Sequence, residues 1–148
     1  MSDVRTGGCL CGAVKLRATL KEAGFGACHC GICRRWSGGA PFFAVQADVE
    51  VTQGADKATT YVSSEWAERA FCSVCGSNLW YRVTMPGPFE GAAHVAWGAL
   101  DDISGMALTS EVFIDDKPEG YDLAGDRPRM TGEELFATVQ AAGEAKDR

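Results

Sequence analysis

Gly8-Cys9-Leu10-Cys11-Gly12-Ala13-Val14-Lys15-Leu16-Arg17-Ala18-Thr19-Leu20-Lys21 is the stretch that decides the fold. From Val14 onward, apolar Val14, Leu16, Ala18 and Leu20 alternate with polar Lys15, Arg17, Thr19 and Lys21. One set of side chains can then face a core while the other faces water, which is the period of a strand. A helix of the same residues would smear the apolar set around its circumference. Directly before this alternation stands a C-x-C pair followed by glycine. Extended backbone puts both thiols of such a pair on one face, where they form a chelate.

Further strands are expected at Phe42–Val51, Thr59–Ser63, Leu79–Thr84, His94–Leu100 and Leu108–Ile114, each rich in β-branched or aromatic residues. Turns are expected at Gly24 to Gly26, Gly54, Pro86-Gly87-Pro88, Asp101-Asp102 and Asp115 to Gly120. Only the C-terminus reads as clearly helical. Thr131 is followed three residues later by Glu134, a capping-box pattern, and Leu135, Phe136 and Val139 share one face that would pack on a sheet. The tail from Gly143 is expected to fray. The chain is thus mainly β with a short C-terminal helix.

Its 148 residues suit one domain with its own core, and residues 1–148 are read as a single unit. The 20 acidic and 14 basic side chains leave a net charge of −6. With no basic run longer than Arg34-Arg35, nucleic acid is excluded as a partner. Met1-Ser2-Asp3-Val4-Arg5 carries no apolar stretch of signal-peptide length. The longest apolar run, Ala40 to Val45, is too short to span a bilayer. A cytoplasmic protein without a membrane partner is expected, and the sequence says nothing of its oligomeric state.

All seven cysteines fall between Cys9 and Cys75. In a reducing cytoplasm such thiols stay open, so metal binding explains them better than disulfides, and zinc is the expected ion. They form three groups: Cys9-Leu10-Cys11-Gly12, Cys28-His29-Cys30-Gly31-Ile32-Cys33 and Cys72-Ser73-Val74-Cys75-Gly76. Pairing the two similar, glycine-followed pairs puts Cys9, Cys11, Cys72 and Cys75 around one tetrahedral, coordinatively full ion, a structural site. Cys28, Cys30 and Cys33 remain. Three sulfurs leave a tetrahedral ion one open position for water or an incoming thiol. Spacing alone does not exclude another partition.

Each reading has a competitor. The four thiols of the first site would otherwise be buried free cysteines. The second group would otherwise be another structural site, closed by His29, His94 or a carboxylate. A thioredoxin-like redox pair at Cys30 and Cys33 wants a helix N-terminus, and Arg34-Arg35-Trp36-Ser37-Gly38-Gly39 reads as no helix. His29 lies between two proposed ligands, so on extended backbone its ring points away from their metal, and it reads as an orienting or packed residue. His94 reads as an ordinary core or surface histidine. Arg34 is the candidate to bind a substrate carboxylate or to offset thiolate charge; its competitor is a solvated surface charge, which is the stronger reading for Arg35. Trp36, Phe42, Trp80 and Trp97 read as core aromatics.

Gly8 to Val14, Cys28 to Arg35, Phe71 to Ser77, Gly98-Ala99-Leu100-Asp101-Asp102 and Phe113-Ile114-Asp115-Asp116-Lys117-Pro118 together resemble the glutathione-dependent formaldehyde-activating enzyme family, which includes centromere protein V-like proteins. The resemblance implies a β-tent of folded antiparallel sheets stapled by zinc, related to methionine sulfoxide reductase B. It implies a structural zinc on Cys9, Cys11, Cys72 and Cys75 and a second zinc, able to take part in catalysis, on Cys28, Cys30 and Cys33. Reductase activity is disfavoured, because no cysteine follows Cys75. The implied reaction is that of a carbon–sulfur lyase, with glutathione adding to formaldehyde or a related small aldehyde to give S-(hydroxymethyl)glutathione. The reading from another class is a zinc-stabilised binding module with both metals structural. A zinc-hydroxide hydrolase would need a general base that no motif supplies.

Overall fold

The computed structural model describes residues 3–146, with side chains to Ala142. The alternating stretch forms strand β2 (Lys15–Leu20), which follows β1 (Val4–Gly8) and pairs with it antiparallel. Leu16, Ala18 and Leu20 of β2 are buried, and Lys15 and Arg17 are exposed, as a half-wet strand requires. β3 (Phe25–Cys28) leads into helix α1 (Gly31–Ser37), and then into β4 (Phe42–Gln53). Four strands follow: β5 (Ala58–Val62), β6 (Ala67–Cys72), β7 (Asn78–Val83) and β8 (Ala93–Ala96). β9 (Leu108–Val112), β10 (Arg129–Met130) and helix α2 (Gly132–Lys146) complete the described chain.

The long β4 is the spine. It pairs with β3 through Phe42–Ala44, with β8 through Ala44–Ala47 and with β2 through Ala47–Gln53. The main sheet runs β10-β9-β3-β4-β8-β7-β6-β5, with β1 and β2 branching from β4. It is mainly β, as expected, but mixed: β3–β9 and β9–β10 are parallel pairs. Val14, Leu16, Val45, Leu79 and Val95 are fully buried at the centre of the core, and Phe25 stacks on Trp97 with ring centroids 4.0 Å apart. Burial of such side chains contributes roughly 1.5–3 kcal/mol each.

Several expected elements shift. The strand expected over His94–Leu100 ends at Ala96, where Leu100 N–H bonds back to the Trp97 carbonyl and closes a tight turn. The strand expected to Ile114 ends at Val112, because Phe113 adopts a left-handed φ of 56°. Gly26, expected in a turn, sits inside β3. Its missing Cβ admits β9, since a Cβ there would stand 3.0 Å from Ser110 Oγ. The capping box forms: Glu134 N–H donates to Thr131 Oγ1, and Thr131 N–H to Glu134 Oε1, each at 3.1 Å. However, α2 does not bury its apolar stripe on a sheet face. Phe136 stays 43% exposed and makes edge-on contacts with Trp66 and Phe113. Fraying is expected from Gly143, but α2 runs on to Lys146; residues 147–148 lie outside the described residues. Among the described residues no helix is long and apolar enough to cross a membrane.

Gly54 joins β4 to the turn before β5 with φ of 74°, and a Cβ there would collide with the Ala13 carbonyl behind the C-x-C pair. Gly54→Ala is therefore expected to destabilise the protein by roughly 2–3 kcal/mol, read as a lowered midpoint in urea unfolding.

Candidate metal centre

The seven thiols gather into two groups, each with its sulfurs within 4.8 Å of one another. The first comprises Cys9, Cys11, Cys72 and Cys75. Cys9 and Cys11 sit in the turn between β1 and β2, while Cys72 ends β6 and Cys75 lies in the turn that leads from it to β7. The two turns are alike. Val14 N–H donates to Cys9 Sγ at 3.2 Å, and Val74 N–H to Cys72 Sγ at 3.4 Å. Hydrogen bonds from the hydroxyl and backbone N–H of Ser77 pull the Cys75 thiol down to about 5. Observed separations of 3.6 Å for Cys9–Cys11 and 3.9 Å for Cys11–Cys72 match the edge of a tetrahedron. With zinc–sulfur bonds of about 2.3 Å that edge is about 3.8 Å. Geometry and donor chemistry fit zinc.

The second group comprises Cys28, Cys30 and Cys33, with Cys33 buried and the other two half-buried. Cys28 ends β3, Cys30 is the N-cap of α1 and Cys33 lies in its first turn. Here the sequence reading needs correction, since the segment set aside as non-helical is helix α1. Cys30 Sγ accepts the Cys33 N–H at 3.3 Å, so a thiol does the capping work usually done by a hydroxyl or carboxylate. Gly38, left-handed at φ of 76°, closes the other end. The ground for setting aside a redox pair thus falls, but Cys28 makes the group a triad rather than a pair. The neighbouring Cys28 and Cys33 thiols hold the Cys30 thiol low, while the Cys30 and Cys33 thiols, with burial, push Cys28 far up. A cation is what lets all three ionise together.

Among the described residues no fourth cysteine, histidine or carboxylate joins the triad. His29 is buried with both ring nitrogens engaged, Nδ1 to the Tyr121 hydroxyl at 2.6 Å and Nε2 to Glu111 Oε1 at 2.8 Å. It is no fourth ligand. His94 stacks on the Tyr81 ring at 4.4 Å, and burial lowers it to about 4. Trp80 and Phe42 are core aromatics as expected, whereas Trp36 and Trp97 are half-buried.

Arg34 is exposed on α1, as is Arg35. The cation that touches the triad is Arg69 of β6, which sequence reading missed. Both of its terminal nitrogens donate to Cys33 Sγ at 3.5 Å, and its Nε donates to Ser63 Oγ at 3.1 Å. Its guanidinium lies over the Trp36 and Tyr81 rings, 5.0 and 5.4 Å from their centroids. At 5% exposure it is a fixed, desolvated positive charge. The only signal for it in the sequence was an arginine close before Cys72, in Ala67-Glu68-Arg69-Ala70-Phe71-Cys72. Phe42 and Ala96, which pack with Cys33, also line a cavity of about 680 Å³. That cavity lies between the Cys9–Leu10 turn, the end of α1 at Ser37, and Trp97 to Asp101; among the described residues no lysine or arginine lines it.

Residues 4–116 match the model of the family described as glutathione-dependent formaldehyde-activating enzyme. An uncharacterized lyase of Schizosaccharomyces pombe is 33% identical over 135 residues, covering 90% of this chain and 95% of that one. A Halomonas elongata protein whose name carries the family's description is 36% identical over 83 residues, 50% of this chain and 53% of that one. A crystal structure of a Rhodobacter sphaeroides protein shares the fold, with a TM-score of 0.55 over 84% of this chain and 98% of that one at 23% identity.

The two groups are expected to respond differently to loss of one sulfur. Cys72→Ala opens the cross-link between distant turns and should abolish cooperative unfolding, because structural zinc contributes about 10–16 kcal/mol in small modules. Cys30→Ala should leave a folded protein with one metal fewer per chain. Thermal melting with metal analysis on both variants checks this.

Proposed function

The chain belongs to the glutathione-dependent formaldehyde-activating enzyme family, and from that premise we propose that it is a zinc-dependent carbon–sulfur lyase. In this reading a thiol, glutathione, adds to formaldehyde or a related small aldehyde at the three-cysteine centre. The observation that carries it is a triad of half-buried and buried sulfurs that no fourth ligand side chain joins among the described residues, its one adjacent histidine tied up elsewhere. The other four sulfurs form the structural site. A zinc ion on Cys28, Cys30 and Cys33 would accept a thiol in its open position and keep it as a thiolate at neutral pH.

The chain's own residues supply the rest. Three protein thiolates and a fourth from substrate leave a divalent ion with a net charge of −2, which would disfavour the incoming anion. Arg69 sits on Cys33 and offsets one of those charges from a fixed, desolvated position. None of the three sulfurs lines the cavity itself, but Phe42 and Ala96 stand between it and Cys33, and in this reading the body of the thiol would lie there. Because Asp101 lines it and, among the described residues, no basic residue does, the two carboxylates of glutathione need a counter-charge at its mouth. Arg34, three residues before Ser37, is the candidate. In the forward reaction the sulfur attacks the aldehyde carbon, the carbon–oxygen π bond opens, and the oxygen takes a proton, giving S-(hydroxymethyl)glutathione. No protein atom becomes covalently bonded. The seven free thiols fit a reducing, cytoplasmic setting, with the whole chain acting as one domain.

Magnetisation-exchange NMR between formaldehyde and S-(hydroxymethyl)glutathione tests this. Zinc-loaded protein should accelerate the exchange, Cys30→Ala should abolish the effect, and added glutathione should perturb one of two bound zinc ions. A single tight zinc, or two indifferent to thiols, would favour the binding module instead. Arg69→Gln should retain the four-sulfur metal and reduce the exchange rate by about 10-fold or more, the size seen when a residue supporting a metal site is lost.

A further inference from the structure

His29 stands between two ligands of the triad and takes no part in the chemistry above, yet it is among the most tightly held residues in the described chain. It is 1% exposed. Its Nε2–H donates to Glu111 Oε1 at 2.8 Å, which leaves Nδ1 to accept the Tyr121 hydroxyl at 2.6 Å. Glu111, also 1% exposed, gives its other oxygen to Arg127 Nη1 at 2.7 Å and to Arg129 Nε at 2.8 Å. Burial would raise this carboxyl, but the hydrogen bonds from His29, Arg127 and Arg129 outweigh it and hold the group below the ordinary carboxylate range. The backbone is pinned as well. His29 N–H donates to the Val112 carbonyl and Glu111 N–H to the Pro128 carbonyl, each at 3.1 Å.

A buried carboxylate with two guanidiniums costs more to desolvate than apolar packing of the same volume, so stability alone is a poor reason for it. Orientation is a better one. Cys28, His29 and Cys30 are consecutive on near-extended backbone, so fixing the imidazole on one side fixes both thiols on the other. Four hydrogen bonds on the network leave His29 no alternative rotation, and a turn of its backbone would swing two sulfurs away from Cys33.

We propose that Glu111 and Tyr121 are positioning residues for the three-sulfur centre, locking His29 so that Cys28 and Cys30 stand preformed beside Cys33. The proposal rests on the reading that these three sulfurs hold zinc. It also gives a role to the chain's end, because Tyr121, Arg127 and Arg129 lie beyond residues 4–116 matched by the family model. The clamp thus joins His29 and Glu111, inside the matched region, to Tyr121, Arg127 and Arg129 outside it, the last of these on β10 beside β9.

Zinc stoichiometry and chelator competition on the full-length chain test it, with the absorption of the cobalt-substituted protein reporting the sulfur environment of each site. Tyr121→Phe removes one hydroxyl and keeps the ring. Glu111→Gln removes the charge that orients both arginines. Both variants should keep the four-sulfur metal while the affinity of the second site drops by about 10-fold or more, with the cobalt bands of that site shifted. Should Glu111→Gln fail to fold, Tyr121→Phe decides alone. A lower melting temperature with unchanged second-site affinity and cobalt spectrum would make the network merely structural and overturn the proposal. If the wild type holds one zinc and Cys30→Ala leaves that count unchanged, the zinc reading of the triad fails first, and the clamp with it.

Discussion

Seven sulfurs held in two groups, each within 4.8 Å and none oxidised to a disulfide, are an electrostatic problem that the rest of the structure is arranged around. Two thiolates about 4 Å apart repel by roughly 4 kcal/mol at an effective dielectric constant of 20. Kept protonated, they form only weak hydrogen bonds to each other. A divalent cation reverses the sign of the whole sum, and the sheet supplies the approach. The turns that carry Cys11 and Cys72 are 61 residues apart in sequence, and they meet because β4 pairs with β2 on one stretch and with β8 on another. Strand pairing brings the sulfurs together, and a bound divalent ion would remove the repulsion that would otherwise part them.

The parts of this plan that the sequence made legible are those written in local pattern. β2 could be read from its alternation, and the capping box at Thr131 and Glu134 from its spacing. The seven sulfurs and their grouping were legible too, because ligand pairs followed by glycine carry their geometry within a few residues. Elements that depend on distant partners were not. β6 hides because Glu68 and Arg69 interrupt its apolar pattern, and the burial of Arg69 makes sense only beside Cys33, 36 residues away. β3 hides because Gly26 looks like turn punctuation until β9 is laid against it. Helix α1 was missed for a chemical reason: its N-cap is a thiol, and cysteine is not among the residues whose side chains ordinarily announce a helix start. The parallel pairing of β3 with β9 joins strands more than 80 residues apart and leaves no local trace.

The two groups of sulfurs are supported by different means, and the difference bears on what each can do. The four-sulfur site takes its hydrogen bonds from its own turns, through Val14 N–H, Val74 N–H and the Ser77 hydroxyl. Such a site is self-contained and coordinatively full, so its surroundings need only be rigid. The three-sulfur site draws on charged side chains from elsewhere in the fold: Arg69 from β6 on Cys33, and Glu111 from β9 through His29. A centre intended only as a cross-link has no need of a buried guanidinium, because completing its fourth position would be simpler.

The charge count makes the same distinction quantitative. Three thiolates on a divalent ion would sum to −1, and Arg69 would bring such a centre to neutrality. At 3.5 Å and an effective dielectric constant of 20, one guanidinium–thiolate contact is worth about 5 kcal/mol of gross attraction, much of it offset by desolvating the arginine. Stacking over Trp36 and Tyr81 recovers part of that cost and keeps the cation from following a departing anion into water. A neutral centre can accept a thiolate and release it again, whereas an ion already at −1 would resist the thiolate's arrival. Under the proposed function, reversible binding is what the addition to an aldehyde would require, since the sulfur must be held long enough to ionise and then let go with carbon attached.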